Sequence, residues 1–211
     1  MQHIKNIIFD YGNVIFRIDF NRAQHSFTEL GIKNVERFFA HKGHDPLFDR
    51  FETGDISAAQ FRDGIRQITE NPGLTDEQID HAWNSLLLGV PPVNHEILLK
   101  AKQQYRTFLL SNINEIHLAY IHNYLYQEYH IRSNDIFFEK VYYSHLVHKR
   151  KPNASIFEQV IRENNLHIDE TLFIDDSPQH LETAKKLGLH THLMTSDDSL
   201  KKFMYRSGLL H

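Results

Sequence analysis

Ile4-Lys5-Asn6-Ile7-Ile8-Phe9, followed at once by Asp10-Tyr11-Gly12-Asn13, decides the fold class. An apolar run of this length that stops at polar, turn-forming residues reads as a buried strand with a loop at its carboxyl end. The pattern recurs at Thr107–Leu110, Val141–Tyr143, Thr171–Ile174 and His190–Met194. Helical patterns lie between the later runs, at Val93–Gln104, Glu115–Tyr129, Ala154–Asn164 and Leu181–Leu187, with Gly188 placed as a C-cap. Strands alternating with helices long enough to cross over predict an α/β fold with a doubly wound, mostly parallel sheet.

Almost a hundred residues separate the first strand from the second, far more than one crossover helix needs. Four helices are expected inside that stretch, at Arg22–Leu30, Val35–Phe39, Ala58–Ile68 and Glu77–Leu88, broken by Gly31, Gly54 and Asn71-Pro72-Gly73. Ser57 and Thr75 precede two of them as N-caps. Pro91-Pro92 marks the return to the α/β pattern, so the chain reads as a core interrupted by a helical insert. Ser196–His211 is expected to form one more helix and a tail.

Composition removes several function classes. The net charge is −4, which provides no basic field for nucleic acid or an anionic membrane, so any anionic ligand must be held locally. With no cysteine, disulfides, thiolate metal sites and cysteine nucleophiles are excluded, and a reducing, cytoplasmic setting is expected. No stretch approaches the roughly 18 consecutive apolar residues of a membrane span, and no signal peptide is expected. The sixteen histidines are scattered without metal-ligand spacing.

In an open parallel sheet, ligands bind beyond the carboxyl ends of the strands. Three such ends carry Asp10, Ser111-Asn112 and Asp175-Asp176. Three convergent carboxylates repel one another, and a hard divalent cation such as Mg²⁺ resolves the conflict with oxygen ligands. Lys151, just ahead of the Ala154–Asn164 helix, is the best placed fixed cation, and Ser111 with the following helix N-terminus could cradle phosphate oxygens.

Four blocks in order, Ile7–Val14, Leu109–Asn112, Lys151-Pro152 and Phe173–Ser177, resemble the haloacid dehalogenase superfamily, whose members are mostly aspartate-dependent phosphohydrolases. The resemblance implies a Rossmann-like core at 1–16 and 90–211 and an inserted helical cap at 17–89. It implies a Mg²⁺-dependent phosphatase acting on a small phosphorylated metabolite through a phosphoaspartate on Asp10. Ser111 would bind the transferring group beside Tyr11, Gly12 and Asn112. Lys151, expected to be partly exposed, would neutralise charge. Asp10, Asp175, Asp176 and the Gly12 carbonyl would hold the metal.

The chain departs from that family at Gly12, where most of its phosphatases carry a second aspartate as general acid and base, a role contributing about 10²–10⁴-fold. Asp19, His41 and His44 are the candidate replacements. Gly12-Asn13-Val14 and Ile18-Asp19-Phe20-Asn21-Arg22 are similar to a bacterial subgroup acting on α-D-glucose 1-phosphate, which makes a sugar phosphate the leading substrate. Two alternatives stand beside this reading. One is a metal-independent 2-haloacid dehalogenase, and the other is a non-catalytic, regulatory phospho-ligand-binding protein. Oligomeric state is not encoded in any of these motifs.

Overall fold

The computed structural model describes residues 3–33, 35 and 46–211. Its centre is a five-stranded parallel sheet of β1 (Asn6–Phe9), β4 (Arg106–Ser111), β5 (Lys140–Tyr143), β6 (Thr171–Asp175) and β7 (His190–Leu193), in the order β5-β4-β1-β6-β7. The middle strands are buried on both faces because their apolar residues run continuously rather than alternating. Ile7, Phe9, Leu109, Leu172 and Ile174 join one hydrophobic cluster, and Ile8, Phe108, Leu110 and Phe173 join another. The first is completed by α5 (Pro92–Gln104), α6 (Glu115–Tyr129) and α10 (Leu200–Arg206), the second by α8 (Ala154–Glu163) and α9 (Pro178–Lys186). The expected doubly wound, Rossmann-like core is therefore present.

Strand order reverses at β1, which has β4 on one side and β6 on the other. Asp10, Ser111 and Asp175 are thereby brought to one end of three adjacent strands, at the place where this topology opens a crevice.

After β1 the chain leaves through β2 (Arg17–Ile18) and returns through β3 (Leu87–Gly89), an antiparallel pair. Between them lie α1 (Phe20–Glu29), α2 (Pro46–Glu52), α3 (Ala58–Ile68) and α4 (Asp76–Asn84). Ser57 and Thr75 form full capping boxes with Gln60 and Gln78, as their spacing predicts. These helices surround a core of their own in which Phe51 stacks on Phe61 at 4.3 Å and Phe48 meets Trp83 edge-on at 5.2 Å.

Several elements differ from expectation. The helix expected over Glu77–Leu88 ends at Asn84, because Leu87–Gly89 pairs with Arg17–Ile18 and takes its hydrogen bonds from a strand instead. Helix α2 and the short α7 (Ser144–Val147) carry too few residues to show a period. The Val35–Phe39 helix lies outside the described residues except for Val35. Helix α10 and the tail after it match the sequence reading.

Helix α6 touches both layers: Ile121 and Leu125 enter the sheet-side cluster, while Ile116 enters that of the insert. At the junction His117 is buried and stacks on Trp83 at 4.4 Å. Its Nε2 donates to the Trp83 carbonyl at 3.1 Å, and its Nδ1 therefore accepts from the Asn114 side-chain amide. Burial pushes the imidazole down to about 4. A histidine held neutral in the fold contributes stability that is present above its ordinary value of 6.5 and is lost as pH falls toward 4. We expect about 2 kcal/mol of this contribution to disappear between pH 7 and pH 5. In urea titrations at the two pH values, His117→Gln should show a correspondingly smaller loss of stability than wild type.

Candidate active site

Asp10 leaves the end of β1 into a tight turn. The Ile15 and Phe16 amides donate to the Tyr11 carbonyl at 2.9 and 2.8 Å, and the Asn13 amide donates to the Phe16 carbonyl at 2.7 Å. Asn13 sits at φ +53°, a left-handed conformation that asparagine tolerates better than most residues. That conformation lets its side chain work twice: Oδ1 accepts from the Ile18 amide at 3.1 Å and Nδ2 donates to Asp176 Oδ2 at 3.0 Å.

Lys151 reaches the same place from the loop before α8. Its backbone is clamped by Asn112, whose Oδ1 accepts from the Lys151 amide and whose Nδ2 donates to the Lys151 carbonyl, both at 2.9 Å. The ammonium donates to Asp10 Oδ1 at 2.6 Å and to Asp175 Oδ2 at 2.7 Å. Lys151 is 0% exposed. The expectation of a partly exposed lysine is thus corrected: pairing with two carboxylates offsets the cost of burying the charge, and the stem packs as core.

Asp175 is also fully buried and is held on several sides. Its Oδ1 accepts from the Ser177 amide at 2.7 Å and from His180 Nδ1 at 3.0 Å. Burial opposes its ionisation, but Lys151 and His180 outweigh burial and hold the carboxyl below the usual range. Asp10 behaves oppositely: burial, with Asp175 and Asp176 nearby, outweighs Lys151 and pushes its carboxyl up to about 8. Asp176 is likewise raised, by burial first and by Asp175. One ammonium among three carboxylates leaves an excess of negative charge. Ligand oxygens of Asp10, Asp175 and Asp176 lie within 4.8 Å of one another, a hard-donor set that fits a divalent cation such as Mg²⁺.

A cleft of about 460 Å³ opens over this group. Asp10, Gly12, Ser111, Asn112, Lys151 and Asp176 line it from the sheet side. Asp175 lies beneath them, and Tyr11 does not reach the cleft: its ring packs on Phe16 at 5.5 Å and its hydroxyl donates to Asn134. Asn112 is present, but its amide is committed to the Lys151 backbone. Asp19 caps α1 by accepting from the Asn21 amide and is not among the lining residues, while His41 and His44 lie outside the described residues. A larger cavity of about 790 Å³ shares Asn13 and Asp176 but contains neither Asp10, Ser111 nor Lys151, so the chemistry belongs to the smaller one.

Comparison with known proteins fits this geometry. A family model described as haloacid dehalogenase-like hydrolase matches residues 121–194. A crystal structure of a haloacid dehalogenase family enzyme from Bacteroides thetaiotaomicron, in complex with magnesium and inorganic phosphate, is 33% identical. It covers 95% of this chain and 98% of its own at a TM-score of 0.88. The chain belongs to the haloacid dehalogenase-like hydrolases. A hydrolase of this family from Porphyromonas gingivalis is 30% identical, covering 99% of this chain and 100% of its own at a TM-score of 0.88. The D-ribitol-5-phosphate phosphatase of B. thetaiotaomicron is 29% identical over 188 residues, which is 89% of this chain and 90% of that protein. Among the described residues of this hydrolase, no helix is long and apolar enough to cross a membrane.

Several residues of the site carry no assignment in the sequence reading. Asn13 was visible beside Asp10, yet nothing in the sequence told that it would orient Asp176. His180 follows Asp175 by five residues, one strand-to-helix turn away, and that spacing is its single signal. Phe48, Glu52 and Trp83 come from the insert and Arg150 from the Lys151 loop, all lining the cleft without a motif to mark them, while Phe20 lies in the Ile18–Arg22 block without a role assigned to it.

Removing one partner of a buried pair costs about 3–5 kcal/mol, because the remaining charge is stranded. Lys151→Ala should therefore lose stability on that scale as well as activity, read from the urea midpoint and from turnover. A variant as stable as wild type would mean that the ammonium does not hold Asp10 and Asp175 together.

Proposed function

We propose that this hydrolase is a Mg²⁺-dependent phosphatase of small phosphorylated metabolites, sugar phosphates among them, working through a phosphoaspartate on Asp10. The observation that carries the reading is the buried Lys151 ammonium between Asp10 and Asp175, with Ser111 in the same cleft. Two relatives support it by what they are: one binds magnesium and inorganic phosphate, and another is named for removing phosphate from D-ribitol 5-phosphate. A carboxylate trio around a hard cation makes better sense for phosphoryl transfer than for metal-independent dehalogenation.

In this reading Asp10 and Asp176 would hold the metal through their carboxylates and Gly12 through its carbonyl, with Asp175 supporting the set from beneath, since Lys151, His180 and Ser177 already engage its oxygens. Bound there, the ion would supply charge neutralisation of the phosphoryl oxygens and of the carboxylates. A carboxylate oxygen of Asp10 attacks phosphorus in line, the bond to the leaving oxygen breaks, and the leaving group departs with the electron pair. Water then attacks phosphorus, releasing inorganic phosphate and restoring the aspartate. Lys151 holds the attacking carboxylate in place and offsets the growing negative charge. Ser111 contacts the transferring phosphoryl group beside the backbone of Gly12. Residues 17–89 act as the cap that covers the cleft and excludes water.

Gly12 gives the leaving oxygen no acid. Among the described lining residues, Lys151 is held by Asp10 and Asp175, and Glu52 is paired with Arg150. His180 keeps its Nδ1 on Asp175 while burial holds the imidazole below its usual range, where it is a neutral and weak acid. The enzyme should therefore depend strongly on leaving-group acidity. A Cβ at Gly12 would meet Ile18 Cδ1 at 2.9 Å, the flexible end of a side chain, so a larger residue can be accommodated by a small shift.

Hydrolysis of p-nitrophenyl phosphate with Mg²⁺ tests the reading. Activity should fall to background in Asp10→Asn and after EDTA, and should return with Mg²⁺. Equal background in wild type and Asp10→Asn would instead identify a phospho-ligand-binding protein. A second outcome follows for Gly12→Asp. The variant should raise the alkyl-to-aryl rate ratio by up to about 10²-fold, and an unchanged ratio in a folded variant would refute the account of Gly12.

A further inference from the structure

The cations that border the cleft are not equally available to a substrate. Lys151 is engaged by Asp10 and Asp175 beneath the phosphoryl site. Arg150, the adjacent residue, reaches the other way: its Nη2 lies 3.0 Å from Glu52 Oε2, and its Nη1 pairs with Asp49. Both carboxylates sit on α2, so the guanidinium joins the Lys151 loop to the insert and is largely buried in doing so, at 16% exposure. Arg150 and Lys151 are the two lysine or arginine side chains among the described lining residues. Among the described residues, the remainder of the insert's wall is apolar, formed by Ile18, Phe20, Phe48 and Trp83.

Among the described residues, a leaving group that enters this space meets a carboxylate paired with its arginine and apolar side chains. Apolar walls accept C–H groups and leave a second anion desolvated. A fixed carboxylate accepts hydrogen bonds from hydroxyls but offers nothing to a second carboxylate or phosphate, which would be desolvated without a partner. Like-charge juxtaposition of this kind is how a site rejects a near-isosteric ligand.

We propose that Glu52, fixed by Arg150, makes the site selective for monophosphates with uncharged, hydroxyl-bearing leaving groups and against those carrying a second anion. The proposal rests on the phosphatase reading and adds a specificity-determining residue to it. Glu52 acts on the part of the substrate remote from phosphorus, so its effect falls chiefly on KM.

Matched substrate pairs isolate the charge. Glucitol 6-phosphate and 6-phosphogluconate differ at one carbon, hydroxymethyl against carboxylate, as do glycerol 3-phosphate and 3-phosphoglycerate. With saturating Mg²⁺, wild-type kcat/KM should favour the hydroxymethyl member of each pair at least tenfold. Glu52→Gln should narrow that ratio at least threefold through a lower KM for the carboxylate substrate. Arg150→Gln should widen it, because Glu52 and Asp49 then keep their charge without the guanidinium. Equal wild-type kcat/KM within the pairs would overturn the proposal and needs no variant. A ratio unmoved in folded Glu52→Gln would overturn the assignment to that residue. Mg²⁺-dependent cleavage of p-nitrophenyl phosphate that is lost in Asp10→Asn secures the phosphatase reading separately, so either failure falls on this inference alone.

Discussion

An ammonium with no access to water, donating to carboxylates from two different strands, is the constraint around which this molecule is arranged. Lys151 cannot be buried without Asp10 and Asp175, and those carboxylates cannot approach one another without Lys151. The arrangement requires β1 and β6 to be neighbours, which the β5-β4-β1-β6-β7 order provides. It also requires the Lys151 loop to close over their ends, and the reciprocal hydrogen bonds of Asn112 to the Lys151 backbone bring that loop to the end of β4. A third carboxylate, Asp176, is then added and oriented by Asn13. Burial first, and then the surplus negative charge, raise the Asp10 carboxyl, and the cluster is an oxygen donor set that fits a divalent cation.

The insert is fastened to this centre rather than suspended over it. Ser144 Oγ donates to the Glu52 carbonyl at 2.6 Å, His148 Nδ1 lies 3.0 Å from the Thr53 carbonyl, and Arg150 pairs with Asp49 and Glu52. Gly54, at φ +71°, follows immediately, and a Cβ there would lie 2.1 Å from the His145 carbonyl oxygen. On the other side, Glu115 of α6 accepts from the Ala58 amide at the start of α3, and His117 bonds to the Trp83 carbonyl. These contacts set the wall of the cleft directly against the loop that carries Lys151. In the proposed reading, chemistry and selection draw on neighbouring positions, Lys151 for the first and Glu52 with its partner Arg150 for the second.

The core strands were legible because a buried parallel strand is a continuous apolar run, and that property survives in any context. Ser57 and Thr75 were legible as caps because the capping box is a local hydrogen-bond pattern. The carboxylates were legible as a group because strand ends are topologically equivalent. By contrast, the burial of Lys151 and the diversion of Tyr11 into the core depend on packing partners far away in the chain. Helix α2 and strand β3 are short, and long-range contacts rather than periodicity define them.

By itself, then, the order of residues determined the α/β class, the position of the helical insert and the residue types gathered at the strand ends. These follow from local periodicity, turn chemistry and the rule that places ligands beyond parallel strands. Only the tertiary structure decided which charges are buried together, which amide orients which carboxylate, and that Glu52, Trp83 and Arg150 face the same cleft as Asp10. Those outcomes rest on contacts between residues far apart in the chain, 141 positions for Asp10 and Lys151 and 163 for Asn13 and Asp176. Burial and pairing energies act through space and leave no mark on sequence spacing.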